Sequence, residues 1–122
     1  MTAEQQQDEY NRLPPAAKET YDYTKKRHPN WSHEQIMTKV GMDETLENMV
    51  DNNGGKDVDP SDPTVLVKIL EGGKRFLEKL GINLSKIMEQ INAAIFTLKK
   101  AISWGISNIG DRIKGLLGWL FE

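Results

Sequence analysis

The chain lacks the residues and patterns on which most catalytic and structural sites depend. It contains no cysteine, which excludes a disulfide framework, thiol catalysis and cysteine-ligated zinc. Lys and Arg number 16 against 18 Asp and Glu, and no segment has the dense basic and aromatic pattern of a nucleic-acid surface. No nucleophile elbow, Gly-rich phosphate loop or zinc-protease motif is present. We therefore expect a protein that is not an enzyme, carries no cofactor and does not bind nucleic acid.

Long hydrophobic runs are absent as well. The longest uncharged run, 101–110, has 10 residues, whereas a helix needs about 20 to span a bilayer. The first residues do not have the cationic and apolar pattern of a secretory signal. We therefore expect no transmembrane helix and, by default, a cytoplasmic protein, with export by another route left open.

Metal ligands are sparse in the sequence. The two histidines are His28, just before a helix-stopping proline, and His33, just after the expected helix cap. Zinc sites usually take three or four protein ligands, so no metal site is predicted. The acidic stretch 57–62 begins like a calcium loop, but Asp62 and Lys68 occupy the positions of the required Gly and Glu. A solvated linker is expected there, and calcium binding by this linker stays an open alternative.

Apolar and charged residues alternate at helical spacing along most of the chain. The pattern predicts an all-α protein, a small helical bundle of four to five helices with a long amphipathic C-terminal helix in an antiparallel hairpin. Residues 1–12 are polar and are expected to form a mobile N-terminus. Short helices are expected in 13–51, an acidic linker in 52–62 and the hairpin in 63–122. Residues 13–122 are expected to form one domain.

Local signals predict several helix boundaries. Ser32 and Gln35 have the spacing of a capping box. The apolar faces before and after Gly41 point in different directions, which predicts a helix end at Gly41 and a new helix capped by Asp43. Gly72-Gly73 weakens the next helix or admits a close neighbour.

The C-terminal helix is the main apolar element. From Leu84 to Leu120 its apolar residues recur every 3.6 residues on average, which is the period of a straight amphipathic helix. A turn at Gly81 makes a hairpin that covers only the first half of this helix. Unless Gly105 or Gly110 breaks the helix, its second half needs another cover. This chain's N-terminal helices, a second protein chain and a membrane surface are the three candidates.

Charge is distributed unevenly between the two halves of the chain. Residues 1–62 hold 7 Lys and Arg against 13 Asp and Glu, whereas 63–122 hold 9 against 5. The halves are expected to attract one another, or the second half to attract an anionic partner. Phe96 and Trp104 project on the otherwise polar side of the C-terminal helix and mark a second contact surface, across which the N-terminal helices are expected to pack, with a ligand-binding role as the alternative.

These features predict a non-catalytic helical module that acts through protein interaction or self-association. The uncovered apolar area of the C-terminal helix is the basis of this prediction. The predicted interaction surface comprises Phe96, Trp104, Ile109, Ile113, Leu116, Leu117, Trp119, Leu120 and Phe121.

One segment favours an alternative function at a membrane. The segment around Ile106–Lys114 resembles the short amphipathic haemolytic peptides of the delta-lysin type. The resemblance extends over about 15 of the 122 residues. The resemblance implies a membrane-associated or membrane-active protein whose C-terminal amphipathic helix is masked by the acidic N-terminal half. Its partner would then be an anionic membrane surface. A small ligand-binding bundle is the third hypothesis.

Overall fold

The computed structural model describes residues 1–106, 109, 113 and 117–121, with the backbone alone at residue 121. In this part of the chain the structure has five α-helices and no strand. The elements are α1 (Ala3–Asn11), α2 (Pro15–Arg27), α3 (His33–Asn52), α4 (Pro63–Lys79), α5 (Met88–Ser103) and a short 3₁₀ helix (Gly118–Phe121). Helix α3 packs on α2 and on α4, and α4 packs on α5. The predicted fold class, an all-α small helical bundle, is confirmed.

Reciprocal capping boxes begin α1 and α3. The Gln35 N–H donates to Ser32 Oγ at 3.2 Å, and the Ser32 N–H donates to Gln35 Oε1 at 2.8 Å, as predicted. Thr2 and Gln5 make the same pair of bonds at the start of α1. Helix α1 lies where the sequence indicated only a mobile polar segment. A polar helix of this kind shows no apolar stripe, so periodicity does not reveal it.

Helix α3 runs without interruption through Gly41, so the helix end predicted there is wrong. Gly41 instead lies where α3 crosses α4. A Cβ atom on Gly41 would lie 2.9 Å from the Gly73 carbonyl oxygen, and one on Gly73 would lie 3.0 Å from the Gly41 carbonyl carbon. The two glycines therefore let the backbones of the helices touch, and the close neighbour predicted for Gly72-Gly73 is confirmed.

The two apolar faces of α3 are buried on different sides of the same helix. Val40 belongs to a core cluster formed mainly with α2, the end of α4 and the start of α5. Met42 belongs to a second cluster formed with α4, α5 and the C-terminal segment. A straight helix can bury both faces because it lies between two layers of the bundle.

The long C-terminal helix predicted from Leu84 to Leu120 is interrupted. Helix α5 spans Met88–Ser103, and Gly105 ends it with a φ of 70°. The Ile106 N–H donates to the Ala101 carbonyl oxygen at 2.8 Å, which is the hydrogen bond of a Schellman motif. No helix in the described residues combines the length and hydropathy that a membrane span requires.

The hairpin turn between α4 and α5 has the predicted geometry. Gly81 has a φ of 71°, and the Ile82 N–H donates to the Leu77 carbonyl oxygen at 3.0 Å. Ile82 is buried behind this turn. The Schellman motif predicted at Gly81 is therefore confirmed.

The chain itself covers the described part of its C-terminal segment. Ile109, Ile113, Leu117 and Leu120 are buried in one cluster with side chains of α3, α4 and α5. The Trp119 ring lies edge-on to the Trp31 ring, with centroids 5.3 Å apart. Trp31 belongs to the loop between α2 and α3, so the N-terminal half of the chain contacts Trp119. Of the three candidate covers, this chain's own N-terminal half therefore makes the contact.

Candidate interaction surface

The outer side of α5 carries two large aromatic side chains in solvent. Phe96 is 60 % exposed and Trp104 is 67 % exposed. Lys100 lies between them, with its Nζ 4.7 Å from the Phe96 ring centroid and 5.6 Å from the Trp104 ring centroid. Each cation–π contact at an exposed site contributes about 0.5–1 kcal/mol. We refer to Phe96, Lys100 and Trp104 as the α5 aromatic face.

Helical spacing explains why these side chains stay in solvent. Residues four positions apart on a helix lie on one side, so Phe96, Lys100 and Trp104 form a row. Ile91 and Leu98 lie on the opposite side and are buried in the core. Because the buried row already anchors α5 to the bundle, the aromatic face contributes little to the packing of this helix. Contiguous exposed apolar surface makes this face a candidate interaction site.

The end of α5 widens this exposed area. Ile102 and Ile106 are both exposed, as is Lys99, whose Nζ lies 3.4 Å from Glu71 Oε2. Apolar side chains here stand beside cations and not beside carboxylates of the same helix. Lys99 is paired with Glu71, whereas Lys100 lies against both rings, so the described surface combines apolar side chains with the charge of Lys100.

The structure divides the interaction surface that the sequence predicted. It brings Phe96 and Trp104 together on the outside of α5, where both are exposed, so the prediction that the N-terminal helices pack across them is wrong. It buries Ile109, Ile113, Leu117 and Leu120 in the core, and it leaves Trp119 half-buried against Trp31. Leu116 and the side chain of Phe121 lie outside the described residues. Sequence periodicity placed both groups on helices but did not reveal that the chain turns back after Gly105.

A groove between α2 and the second half of α3 is a feature that the sequence analysis missed. Its volume is about 780 Å³, and Leu46 and Val50 are half-buried in it. The lining consists of Glu19, Thr20 and Tyr23 from α2 and Asp43, Leu46, Glu47, Val50 and Asp51 from α3. We refer to this feature as the α2–α3 groove. The signal for it was the pair Leu46 and Val50, four residues apart among acids on one helix.

Negative charge is concentrated along the α3 side of this groove. Burial raises the pKa of Glu44, and the charges of Glu47 and Asp43 raise it further. One of the carboxylates is partly neutralised, because Lys39 Nζ lies 3.3 Å from Asp43 Oδ1. The lining itself contains carboxylates but no Lys or Arg. It therefore favours a cationic occupant.

A buried polar network joins α1, α2, α3 and the turn before α5. His33 Nε2 lies 2.8 Å from Glu9 Oε1, and His33 Nδ1 lies 2.8 Å from the Tyr21 hydroxyl. The Asn83 N–H donates to Glu9 Oε2 at 2.7 Å. Among the described side chains, every buried nitrogen and oxygen has a hydrogen-bond partner. The network is thus closed on itself, and it holds the helices together.

A polar cleft of about 350 Å³ lies beside this network. Its walls include the acids Glu9 and Glu34 and the bases Arg12 and Lys86. The Arg12 Nη1 donates to the Gly81 carbonyl oxygen at 2.8 Å, and the Lys86 N–H donates to Glu34 Oε1 at 3.1 Å. The Arg12 guanidinium and the Glu34 carboxylate are therefore engaged with backbone groups and tie α1 and α3 to the hairpin turn.

The acidic linker forms local turns. Asp59 Oδ1 accepts hydrogen bonds from the Ser61 N–H at 2.9 Å and from the Ser61 hydroxyl at 2.6 Å, and these bonds lower the pKa of Asp59. Asp62 caps α4 by accepting from the Thr64 N–H at 2.9 Å. In the residues that the structure describes, no group of three or more His, Asp or Glu side chains is arranged to hold a metal ion.

Comparison with known proteins gives no relative from which to transfer a function. No protein-family model, curated protein or solved structure matches the chain. Function is in any case a property of a site and not of a helical fold. The contacts, exposure and charge of the described residues are therefore the basis for the proposal that follows.

Proposed function

We propose that this chain is a non-catalytic helical protein-interaction module that contacts its partner through the α5 aromatic face. The observation that supports the proposal is the exposure of Phe96 and Trp104 on a helix whose other side is already buried. Buried aromatic side chains cover about 150–250 Å² each and contribute strongly to interfaces. Two of them in one row supply the anchors that a small interface needs.

Charge indicates the kind of partner that this surface suits. Lys100 lies against both aromatic rings, and the second half of the chain is net basic. Complementary charge steers association and selects among partners more than it adds affinity. A protein surface that combines apolar area with carboxylates is therefore the expected partner of the α5 aromatic face.

Photo-crosslinking tests this proposal directly. A photoreactive benzoylphenylalanine replaces Phe96 in cells that produce the protein, and the matched control places it at the exposed linker residue Lys56. We expect protein adducts at position 96 that are much weaker or absent at position 56. Loss of the adducts on Trp104→Ser would show that the whole face takes part.

The same experiment has results that would contradict the proposal. Adducts of equal yield at both positions would show only random collision. Lipid adducts at position 96, without protein adducts, would favour the membrane function over the protein-interaction function. The absence of any adduct at position 96 would remove the contact role of the face.

The membrane alternative also has support from one observation. At the end of α5, Lys99 and Lys100 stand near the exposed Ile102, Trp104 and Ile106. Aromatic and aliphatic side chains beside cations are typical of interfacial anchors. If the protein acts at a membrane, it should sediment with phosphatidylglycerol vesicles but not with phosphatidylcholine vesicles, and Trp104→Ser should reduce this binding.

A masked helix that inserts after release would require unfolding of this bundle. The described aliphatic residues after Ile106 are buried among side chains of α3, α4 and α5; they are Ile109, Ile113, Leu117 and Leu120. Exposing them would remove about 1.5–3 kcal/mol of burial for each large side chain. Protein contact through the α5 aromatic face requires no such change, and it is for this reason the function that we propose first.

A further inference from the structure

We propose that the partner of the α5 aromatic face is the α2–α3 groove of a second copy of this chain. This inference rests on the proposed function and names the surface that it leaves open. The groove offers the half-buried Leu46 and Val50 for the aromatic rings, with Glu47 and Asp51 exposed at its edge. The α5 aromatic face offers two rings with Lys100 between them. The two surfaces are complementary both in apolar content and in charge.

The arrangement of helices prevents this contact within one molecule. Helix α2 packs on α3, whereas α5 packs on α4, and α3 and α4 lie between them. The α5 aromatic face also points away from the buried side of α5. The face and the groove can therefore meet only between two copies, in a head-to-tail contact. Contacts of this kind form open chains unless the rotation between copies closes a ring.

A symmetric contact between two α5 aromatic faces is less favourable than the head-to-tail contact. It would bring the Lys100 side chains of both copies into one interface, and like charges across an interface oppose association. An anionic membrane is an equally poor occupant for the groove, because its lining is acidic. A cationic apolar protein surface suits the groove, and the same chain carries one.

The size of the two surfaces sets the strength that we expect. The two rings are already partly buried, so each would bury less than about 150–250 Å² on association. Such a contact is smaller than a standard interface, and complexes of this size are weak and transient. Association should therefore appear only at high protein concentration. It should also weaken when salt is raised, because the charged groups lie at an exposed edge and are screened within about 10 Å at 0.1 M salt.

Sedimentation of two complementary variants tests the inference. Phe96→Ser/Trp104→Ser removes the face and keeps the groove, whereas Glu47→Lys/Asp51→Lys alters the groove and keeps the face. The matched control, Glu4→Lys/Asp8→Lys, reverses two exposed carboxylates four residues apart on α1. All of these side chains are exposed, and circular dichroism checks that each variant remains folded.

The expected results are specific for a head-to-tail contact. At concentrations up to about 1 mM and low salt, the wild type and the α1 control should form oligomers that grow with concentration. Each of the two variants alone should associate at least roughly tenfold more weakly. An equimolar mixture of the two should form a dimer that does not grow further, because only one face and one groove remain intact.

Three results would overturn the inference, and they separate it from the proposed function. A wild type that stays monomeric at about 1 mM would overturn it, as would loss of association in the α1 control to the same extent. Association that survives Glu47→Lys/Asp51→Lys would place the contact elsewhere. If position 96 nevertheless crosslinks to a different protein, only the assignment of the partner fails. If position 96 yields no protein adduct, the proposed function fails as well.

Discussion

At the scale of single residues, Glu9 connects parts of the chain that are far apart in sequence. Its carboxylate accepts from the backbone N–H of Asn83 and pairs with His33, so it ties α1 to α3 and to the hairpin turn. Each of its two oxygens thus has a partner in a different part of the chain. A short polar helix thereby gains a fixed position without an apolar stripe.

Replacement of this carboxylate should be costly. Glu9→Ala leaves the Asn83 N–H and the His33 ring nitrogen without their partner in a buried site. We expect a loss of about 2–4 kcal/mol in the free energy of unfolding, measured by urea denaturation. The neighbouring exposed residue supplies the control, because Asp8→Ala should change stability by no more than about 0.5 kcal/mol. Equal effects of the two substitutions would show that the network does not anchor α1.

The phenol of Tyr21 makes the stability of the fold sensitive to high pH. Burial raises its pKa above the ordinary value of 10.0, and the negative charges of Asp22, Tyr10 and Glu9 act in the same direction. The fold thus favours the protonated phenol. This contribution is fully present below pH 10.0 and is lost as the pH rises through the pKa of the folded state.

Urea unfolding of the wild type and of Tyr21→Phe between pH 8 and 11 measures this effect. The stability of the wild type should fall with pH in the upper part of this range, and the decline in Tyr21→Phe should be smaller, because Phe does not ionise. At pH 8 the variant should itself be less stable, since it loses the hydrogen bond to His33. Parallel declines of the two proteins would assign the pH dependence to other groups.

At the scale of helices, the crossing of α3 and α4 depends on two glycines. Gly41 and Gly73 each lie where a Cβ atom would meet backbone atoms of the other helix. A glycine in a helix usually costs up to about 1 kcal/mol relative to alanine. Here the close approach of the two backbones compensates for that cost, which is why the sequence pattern at Gly41 was misread as a helix end.

Substitution at this crossing should separate packing from helix propensity. Gly73→Ala favours the helix but places its methyl group against the Gly41 backbone, which cannot move without shifting α3. We expect a net loss of about 1–3 kcal/mol, measured by thermal or urea unfolding. Gly72→Ala meets the side chain of Thr45 instead, which is β-branched and whose hydroxyl donates to the Gly41 carbonyl oxygen. We expect this variant to be destabilised as well, through a side-chain contact and not through the backbone. A stabilising effect of Gly73→Ala would show that the crossing of α3 and α4 has space for a methyl group.

Element boundaries illustrate how far local sequence can predict this fold. The capping box of Ser32 and Gln35 and the turn at Gly81 were predicted because each involves contacts within a few residues of the chain. The continuity of α3 was not predicted, because it depends on the contact of Gly41 with the distant Gly73. The existence of α1 was not predicted either, because α1 is held by the contact of Glu9 with the distant His33. The α5 aromatic face was anticipated from helical spacing, whereas the α2–α3 groove needed the packing of two helices.

At the scale of the whole molecule, the C-terminal segment belongs to the core. Leu117 is fully buried in a cluster that includes side chains from α3, α4 and α5. The acidic N-terminal half and the basic C-terminal half therefore meet inside one bundle, while part of each charge remains on the surface. The carboxylates of the α2–α3 groove and Lys100 of the α5 aromatic face are among these remaining charges.

One pair of substitutions checks this division between core and surface. Leu117→Ala should lower the free energy of unfolding by about 2–5 kcal/mol, because it leaves a cavity in the core. Phe96→Ser/Trp104→Ser should lower it by no more than about 1–2 kcal/mol, because both rings are mostly exposed and each loses one cation–π contact with Lys100. If Leu117→Ala were neutral, the C-terminal segment would not be part of the folded core.

The sequence by itself determined that the chain is helical, where several helices begin and end, and that its two halves carry opposite charge. Those properties follow from hydrogen bonds, apolar spacing and residue charges within short stretches of chain. Only the tertiary structure decided which apolar residues are covered. Phe96 and Leu117 are both apolar residues of the same amphipathic pattern, yet one is exposed and the other is buried. The chain turns at Gly105 and Leu117 packs in a cluster with α4 and α5, whereas Phe96 stays 60 % exposed on the outer side of α5 beside Lys100. Burial therefore depends on which surfaces the folded chain brings together.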